Sequence, residues 1–334
     1  MTAHEHPAVS DCIEAIKISG ASEYTVFGQR RDLSAEHVAS RLPQANQAHF
    51  DHPIVTALTE DIYVRIHARL RMARHQGARS ERVPFVARLS EANSGKRGWE
   101  AGWSLLGRSG QTFLLERDGF QVHAGLSELF PDPETGGART TYHLDVGKEL
   151  FNIIAGWYVV LGENVDPSER TAPITRVYFN IDPAEASRLV RLCSHDLNQS
   201  AIPFRLKVPD SPGAYGRADT AVLYLRKHQY RDSGPLLSAM FANIRTRDGV
   251  PAFAKKIGRG IAVAEDPVDG SSFGQHRSRL VARGLWRAYL GQAHEPAART
   301  QYVADEFRRA GLDHDRPHLG ALSEDIYGPA GHES

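Results

Sequence analysis

Phe204-Arg205-Leu206-Lys207-Val208 alternates apolar and cationic side chains, the pattern of a β-strand with one buried face and one polar face. Arg205 and Lys207 share the polar face of this predicted strand. Lysine is scarce in a chain otherwise rich in arginine, and a lysine held beside an arginine on a strand is a candidate base or anion ligand. The stretch therefore predicts a sheet that exposes a cationic face.

Two further predicted strands, residues 176–181 and 220–226, repeat this alternation. If the three strands are neighbours, their polar side chains form one surface, which we call the cationic floor. The plainer alternative is an ordinary solvated face of an antiparallel sheet. The polar side chains of the three predicted strands are Arg176, Tyr178, Asn180, Arg205, Lys207, Tyr224 and Arg226.

A second candidate cluster lies within residues 255–277. It begins with Lys255 and ends with His276 and Arg277 in the first turn of a predicted helix. A cation is disfavoured at a helix N-terminus unless an anion compensates it, and the free backbone N–H groups there also bind anions. This pair therefore suggests an anion site, with a solvated turn as the alternative. Glu265 and Asp266 are weak candidates for metal ligands because no histidine stands at a matching spacing.

The bulk composition excludes several classes of protein. The 334 residues carry 40 basic and 40 acidic side chains, so there is no general electrostatic case for binding nucleic acid or an anionic membrane. The longest apolar run, residues 151–161, is too short to span a bilayer. Cys12 and Cys193 are far apart, which argues against disulfides and a cysteine-based zinc site. We expect a cytoplasmic protein with no metal and no other cofactor.

Other features of the sequence carry less information. The histidines of the N-terminal third, His67 among them, lack metal-ligand spacing and are interpreted as surface residues. Trp157 and Tyr158 are interpreted as core packing. The sequence motifs of serine hydrolases, zinc proteases and nucleotide-binding folds are absent.

The order of these patterns predicts an α+β fold with two domains. Residues 1–137 are expected to form a helical region over residues 8–75, then a polar and largely looped stretch, then a small antiparallel β-meander over residues 99–126. Pro/Gly-rich residues 131–137 form the predicted boundary. Residues 138–325 alternate strands and helices and form the second predicted domain.

The C-terminal half resembles the HopA-type effector-like family of bacterial proteins over roughly residues 148–319. The N-terminal part resembles it only in general layout. The matching stretches are Gly156–Gly162, Arg176–Ile181, Ile202–Val208, Thr220–Leu225, Gly260–Pro267 and Ser272–Arg277.

This resemblance implies an activity. Family members encoded beside peptide-modifying kinases act in class V lanthipeptide and thioamitide biosynthesis, where the family is associated with β-elimination of phosphate from phosphoserine or phosphothreonine to give dehydroalanine or dehydrobutyrine. The implied substrate is a phosphorylated precursor peptide, and the implied partners are a kinase and a cyclase.

A fainter likeness is to the phosphothreonine lyases, which implies a lyase-like α+β fold for the C-terminal domain. Their order is a strand with a catalytic histidine, a helix, a strand with a catalytic lysine, then an arginine segment. Here Tyr178 stands where that histidine is expected, and Lys207 and Arg217 follow in order. The proton donor must therefore be Tyr178 or come from elsewhere, with His276 as the second candidate.

β-Elimination defines the roles that we assign. A lysine acts as a base only where burial and neighbouring cations lower its ordinary pKa of about 10.4, and Arg205 is such a cation beside Lys207, the predicted base. The predicted acid is Tyr178 or His276. The predicted phosphate- and substrate-binding residues are Arg176, Asn180, Arg205, Arg217, Tyr224, Lys255 and Arg277.

Two other functions compete with the lyase. A non-catalytic effector-like module that binds a phosphopeptide or a partner protein would need the arginines but no base. Thioether cyclisation is less attractive because no zinc-site spacing is visible for activating a thiol. For residues 1–137 we expect docking of the precursor peptide or of the partner kinase.

Overall fold

The computed structural model describes residues 7–33, 51–70, 79–96, 98–117, 120–132, 135, 140–151, 154–164 and 172–328. The N-terminal elements are α1 (Pro7–Ala15), β1 (Ile16–Gly20), β2 (Glu23–Val26), β3 (Gln29–Asp32), α2 (Pro53–Asp61), a π-helical turn (Ile62–His67) and α3 (Arg79–Ala92).

The N-terminal region is less helical than its apolar spacing predicts. α1 and the stretch from α2 through the π-helical turn are helices as expected, but β1, β2 and β3 form a three-stranded antiparallel sheet. Burial alternates along β2, where Tyr24 and Val26 are buried and Thr25 is not, which is the period of a strand. Residues 34–50 and 71–75 of the predicted helical region lie outside the described residues.

The polar stretch that we expected to be looped contains helix α3. Phe85 and Leu89, four residues apart, are buried on one face of this helix and join the core beneath the large sheet. Ala92 is buried in the same core and Val86 packs against it, so a mostly polar stretch still supplies one apolar face to the helix.

A five-stranded antiparallel sheet follows, in the order β6-β5-β4-β8-β7. The predicted meander is present as β4-β5-β6, and β8 pairs with β4 across the boundary placed at residues 131–137. The division into two domains stays a prediction. The strands are β4 (Gly98–Ser109), β5 (Thr112–Arg117), β6 (Phe120–Gly125), β7 (Leu129–Pro131) and β8 (Thr141–Val146).

The centre of the molecule is a seven-stranded sheet, in the order β14-β15-β11-β13-β12-β10-β9, and every neighbouring pair is antiparallel. Its strands are β9 (Glu149–Phe151), β10 (Trp157–Leu161), β11 (Ile174–Phe179), β12 (Arg205–Pro209), β13 (Ala221–Arg226), β14 (Lys255–Gly258) and β15 (Ile261–Glu265). The connecting and flanking helices are α4 (Pro183–Leu192), α5 (Lys227–Asp232), α6 (Gly234–Ala242), α7 (Phe273–Leu290) and α8 (Pro296–Arg309).

Helices cover both faces of this sheet. Val177 and Phe179 point toward a core shared with α3, α4 and α6, whereas Tyr178 and Val222 point toward a core shared with α1, α2, α7 and α8. The cationic floor lies on the second face, so the alternative of an ordinary solvated face is wrong where Tyr178 and Arg176 are buried. The α+β prediction is confirmed.

Among the described residues, no helix combines the length and apolar character that crossing a bilayer requires.

Candidate functional site

The sheet register brings the three predicted polar strands together. β12 and β11 flank β13, so Arg205, Tyr224 and Arg176 lie in one cross-strand row. Lys207 and Tyr178 lie in the next row, on either side of Val222. Residues opposite one another share a face and are close neighbours. The cationic floor is therefore a continuous surface over these strands.

Aromatic rings hold Lys207 in place. Its Nζ lies 4.6 Å from the centre of the Trp157 ring and 5.7 Å from that of Tyr224. Two arginines use the same rings: Cζ of Arg217 is 5.3 Å from the Trp157 centre, and Cζ of Arg176 is 5.3 Å from the Tyr224 centre. Trp157 is only partly buried and was wrongly interpreted as core packing.

The ammonium group of Lys207 makes no hydrogen bond or ion pair with any residue that the structure describes. Every other partly buried lysine of the described chain has acceptors: Lys148 donates to backbone carbonyls, and Lys227 and Lys255 pair with carboxylates. Since a buried polar group normally finds a partner, a lysine left among aromatic rings is free to contact a ligand.

Two carboxylates anchor the arginines. Asp219 accepts from Arg217 Nε at 2.5 Å and from its Nη2 at 2.8 Å, a bidentate pair. Burial opposes ionisation of Asp219, but Arg217, His67 and Lys207 outweigh it and lower the pKa. Asp266 pairs with Arg176, and burial raises its pKa even though Arg176 and Lys207 oppose this. The two aspartates fix the arginines and offset much of their charge.

Tyr178 is the candidate acid that the floor itself supplies. It is 3 % exposed, and burial raises its pKa well above the ordinary value although Arg176 acts in the opposite direction. Its phenol is therefore protonated at neutral pH and can donate a hydrogen bond.

The start of α7 is less open than the sequence suggested. Arg277 is 1 % exposed and donates from Nε to the Pro317 carbonyl at 2.6 Å and from Nη2 to the Leu319 carbonyl at 2.9 Å. Nδ1 of His276 lies 2.7 Å from Nη1 of Arg277, and burial with this arginine lowers the pKa of His276 to about 4. His276 is neutral at pH 7 and thus weakly suited to act as an acid.

Two predicted binding residues lie elsewhere or are already engaged. Nδ2 of Asn180 donates to the carbonyls of Asp248 and Gly249 at 2.9 and 3.0 Å, and its Oδ1 accepts from Arg247, so it anchors a loop. Lys255, on β14, pairs with Asp325. β14 lies four strand spacings, or about 19 Å, from β12. The structure does not bring Lys255 to the floor.

Sequence reasoning missed the residues that the N-terminal region contributes. His67, interpreted as a surface residue, is 1 % exposed and stacks between Tyr63 and Phe253, with ring centres 5.9 and 5.4 Å away. Burial lowers its pKa to about 4, with Arg217 and Arg176 acting in the same direction and Asp219 opposing. Tyr63 in turn accepts a hydrogen bond from Arg217.

Other places in the molecule offer less chemistry. Cavities of about 310 and 490 Å³ lie beside α1 and Arg69, away from Lys207. Asp313, His314 and Asp315 could bring metal-ligating atoms within 4.8 Å of one another, on a partly exposed loop. Glu265, which the sequence suggested as a weak candidate for a metal ligand, forms an ion pair with Lys227.

Comparison with known proteins places these residues in a family. The sequence model of the HopA1 effector protein family matches residues 152–319, which span the seven-stranded sheet from β10 onward. No curated protein sequence matches the chain.

Solved structures give two similar folds. An effector protein from Pseudomonas syringae pv. tomato strain DC3000 aligns at 16 % identity and a TM-score of 0.47, covering 81 % of this chain and 96 % of that one. An effector from Pseudomonas syringae pv. syringae strain 61 aligns at 13 % identity and a TM-score of 0.47, covering 79 % and 90 % of the two chains. On the match over residues 152–319, this chain belongs to the HopA1 effector protein family.

Proposed function

We propose that this protein is a lyase that eliminates phosphate from phosphoserine or phosphothreonine in a ribosomal precursor peptide. The observation that carries the proposal is the amine of Lys207, partly buried among arginines and aromatic rings and without an acceptor in the described chain. An amine that no protein acceptor occupies is placed to contact a phosphorylated residue bound over the cationic floor.

The reaction assigns one task to each group. Lys207 removes the Cα proton of the phosphorylated residue, and the electron pair of that C–H bond forms the Cα=Cβ double bond. The Cβ–O bond breaks as the phosphate leaves with its electron pair. The products are dehydroalanine or dehydrobutyrine, inorganic phosphate and protonated Lys207. No oxidant, reductant or cofactor is consumed.

The phosphate is the group that the arginines are suited to hold. Arg176, Arg205 and Arg217 lie on or beside the cross-strand rows that contain Lys207, and a guanidinium fork matches phosphate geometry. Asp219 and Asp266 keep Arg217 and Arg176 in fixed orientations, which lowers the cost of ordering them around a substrate.

Tyr178 is the better placed of the two candidate acids. It lies in the same row as Lys207, whereas His276 lies on α7 and already accepts from Arg277. A tyrosine that stays protonated can donate a hydrogen bond to the leaving phosphate oxygen and stabilise the negative charge that develops there.

A non-catalytic phosphopeptide-binding module is the second candidate. The observation that favours it is the pairing of Arg217 with Asp219 and of Arg176 with Asp266, because paired arginines are common in binding sites that perform no chemistry. Lys207 would then contact phosphate as a cation rather than act as a base.

Mass spectrometry of a phosphoserine peptide incubated with the purified protein separates these functions. Elimination gives a product one water lighter than the unphosphorylated peptide, whereas hydrolysis gives the unphosphorylated peptide itself. An unchanged mass together with phosphate-dependent binding would support the module and overturn the lyase. A phosphothreonine peptide run in parallel reports the preference between the two residues.

The proposed lyase needs one enzyme that makes its substrate and another that uses its product. A kinase must supply the phosphorylated precursor peptide, and a cyclase would consume the dehydroamino acid that the reaction leaves. Residues 1–137 are proposed to dock the precursor or the kinase. Because part of this region packs into the core of the central sheet, the test cross-links the full-length protein to the precursor peptide, and cross-links confined to residues 138–325 would overturn precursor docking.

A further inference from the structure

Tyr63, in the π-helical turn outside the stretch matched by the family, points its hydroxyl into the Arg217 side of the floor. The hydroxyl oxygen accepts a hydrogen bond from Nη2 of Arg217 at 2.8 Å. The phenol hydrogen has no acceptor in the part of the chain that the structure describes. Burial raises the pKa of Tyr63, with Asp219 adding to this and Arg217 opposing, so the phenol keeps that hydrogen at neutral pH.

This free donor lies next to Arg217, one of the predicted phosphate-binding residues. Arg217 lies over the Trp157 ring that also carries Lys207, at 5.3 and 4.6 Å from its centre. Both Nε and Nη2 of Arg217 are already committed to Asp219 and Tyr63. An anion that approaches Arg217 beside Tyr63 therefore meets a phenol hydrogen next to a guanidinium whose donors are partly used.

Packing of aromatic rings against the start of α7 holds Tyr63 in this position. Its ring stacks on His67, four residues later, and His67 stacks on Phe253. Gly274 in the first turn of α7 makes this arrangement fit, because a Cβ at that position would lie 2.6 Å from Nε2 of His67 and 2.8 Å from Cε2 of Tyr63. Real Cβ contacts are longer than this, so only glycine lets α7 start so close to the two rings.

We infer that Tyr63 is a phosphate-binding residue that the N-terminal region contributes to the site of the C-terminal sheet. The inference rests on the proposed function for its ligand, a phosphorylated side chain, and adds that the site is incomplete without residues 62–67. The phenol donates its hydrogen to a phosphate oxygen while its own oxygen stays bonded to Arg217. Arg217 and the phosphate thus share one tyrosine.

Isothermal titration in the Lys207→Ala background tests this, because that variant removes the proposed base and prevents turnover during the measurement. The ligands are one phosphoserine peptide and its unphosphorylated twin. Tyr63→Phe keeps the ring stack and removes only the hydroxyl, so we expect about 10-fold weaker binding of the phosphopeptide, as for loss of a hydrogen bond to a charged group. Binding of the unphosphorylated twin stays the same.

Tyr289→Phe, a partly buried tyrosine at the far end of α7, is the matched control and leaves both affinities unchanged. Equal phosphopeptide affinity with and without the Tyr63 hydroxyl would overturn the inference, as would a loss of affinity for both peptides alike.

These outcomes are separable from failure of the lyase. If the parent protein binds the phosphopeptide through Tyr63 but eliminates nothing, the lyase proposal is wrong and the inference stands. If it eliminates phosphate and Tyr63→Phe binds as the parent does, the inference is wrong and the lyase stands.

Discussion

Two partly buried lysines on opposite faces of the seven-stranded sheet have opposite surroundings. Lys227 lies 2.7 Å from Oε1 of Glu265 and donates to Oγ of Ser323 at 2.6 Å. Lys207 contacts the faces of Trp157 and Tyr224 and has no acceptor among the described residues. The first amine is paired with a carboxylate inside the protein, and the second lies against aromatic rings without an ion pair to a described residue.

The difference shows that the burial of a lysine does not by itself reveal whether the residue stabilises the fold or binds a ligand. A buried cation with a complete set of acceptors stabilises the fold, and removing it leaves a buried charge of the other sign. A partly buried cation that lies against aromatic rings and makes no direct ion pair leaves no buried partner behind when it is removed, and we propose that its place serves a ligand. The predictions that follow separate these two roles.

Lys207→Ala should have the largest effect on activity. Loss of a general base costs about 10²- to 10⁴-fold in rate, so elimination of phosphate from a phosphoserine peptide should fall by this factor when it is followed by mass spectrometry. The thermal midpoint should stay close to that of the parent protein, since Lys207 has no internal acceptor to leave behind. Full activity in this variant would remove Lys207 from the mechanism.

Lys227→Met should lower the stability of the protein and leave its activity unchanged. Glu265 is 3 % exposed, and breaking a buried ion pair by removing one partner costs about 3–5 kcal/mol of unfolding free energy. Urea denaturation measures this loss. The rate of elimination per folded molecule should be unchanged, and a variant as stable as the parent would show that Lys227 is not the structural counterpart of Lys207.

The buried histidine near the floor should make stability depend on pH. The pKa of His67 is about 4 in the folded protein and about 6.5 in the unfolded chain, so between these values only the unfolded chain binds the proton. The unfolding free energy should therefore be complete above pH 6.5 and fall by about 3 kcal/mol as the pH drops to about 4, at 1.36 kcal/mol per unit. The charged groups that act on His67 are Arg176, Arg217, Asp219 and Arg277.

Urea denaturation of His67→Phe across pH 4–7 isolates this contribution. Phenylalanine keeps a ring in the stack with Tyr63 and Phe253 but does not titrate, so the pH slope should become shallower. His276, whose pKa burial also lowers to about 4, keeps part of the slope in both proteins. A slope identical to that of the parent would mean that His67 is accessible to protons in the folded state.

The smallest expected effect concerns the ring of Tyr224, which lies between Lys207 and Arg176. Tyr224→Leu removes the aromatic face and should lower kcat/KM for the phosphopeptide by up to about 10-fold, the scale of a partly desolvated cation–π contact. Tyr224→Phe keeps the face and should stay close to the parent. Equal loss in both variants would assign the effect to the hydroxyl instead.

The sequence predicted the floor better than what surrounds it. Alternation along residues 176–181 and 204–208 needs only the two-residue period of a strand, and that local rule placed Arg176, Tyr178 and Lys207 on one face. On its other side β12 pairs with β10, and this long-range pairing is not determined by a local pattern. Trp157 therefore could not be recognised as the ring beneath Lys207 until the pairing was known.

His67 shows a second limit. It was interpreted as a surface residue because the N-terminal histidines lack metal-ligand spacing, but it ends a π-helical turn and packs against Phe253 and Phe273, far away in the sequence. Lys255 shows a third: its strand was missed, and strand order decides that it lies far from Lys207. These errors at Trp157, His67 and Lys255 concern tertiary pairing or an irregular turn, whereas the errors at β1–β3 and α3 concern local secondary structure.

The surroundings of Glu265 have a consequence for where this protein can be divided. Its carboxylate accepts from the backbone amide of Gly320 at 2.8 Å, from Ser323 at 2.8 Å and from the Tyr327 hydroxyl at 3.1 Å. The stretch shared with the family stops at residue 319, one position before the first of these donors. A chain cut at residue 319 would therefore leave the buried carboxylate of Glu265 without these three donors, so the folding unit has to extend at least to Tyr327.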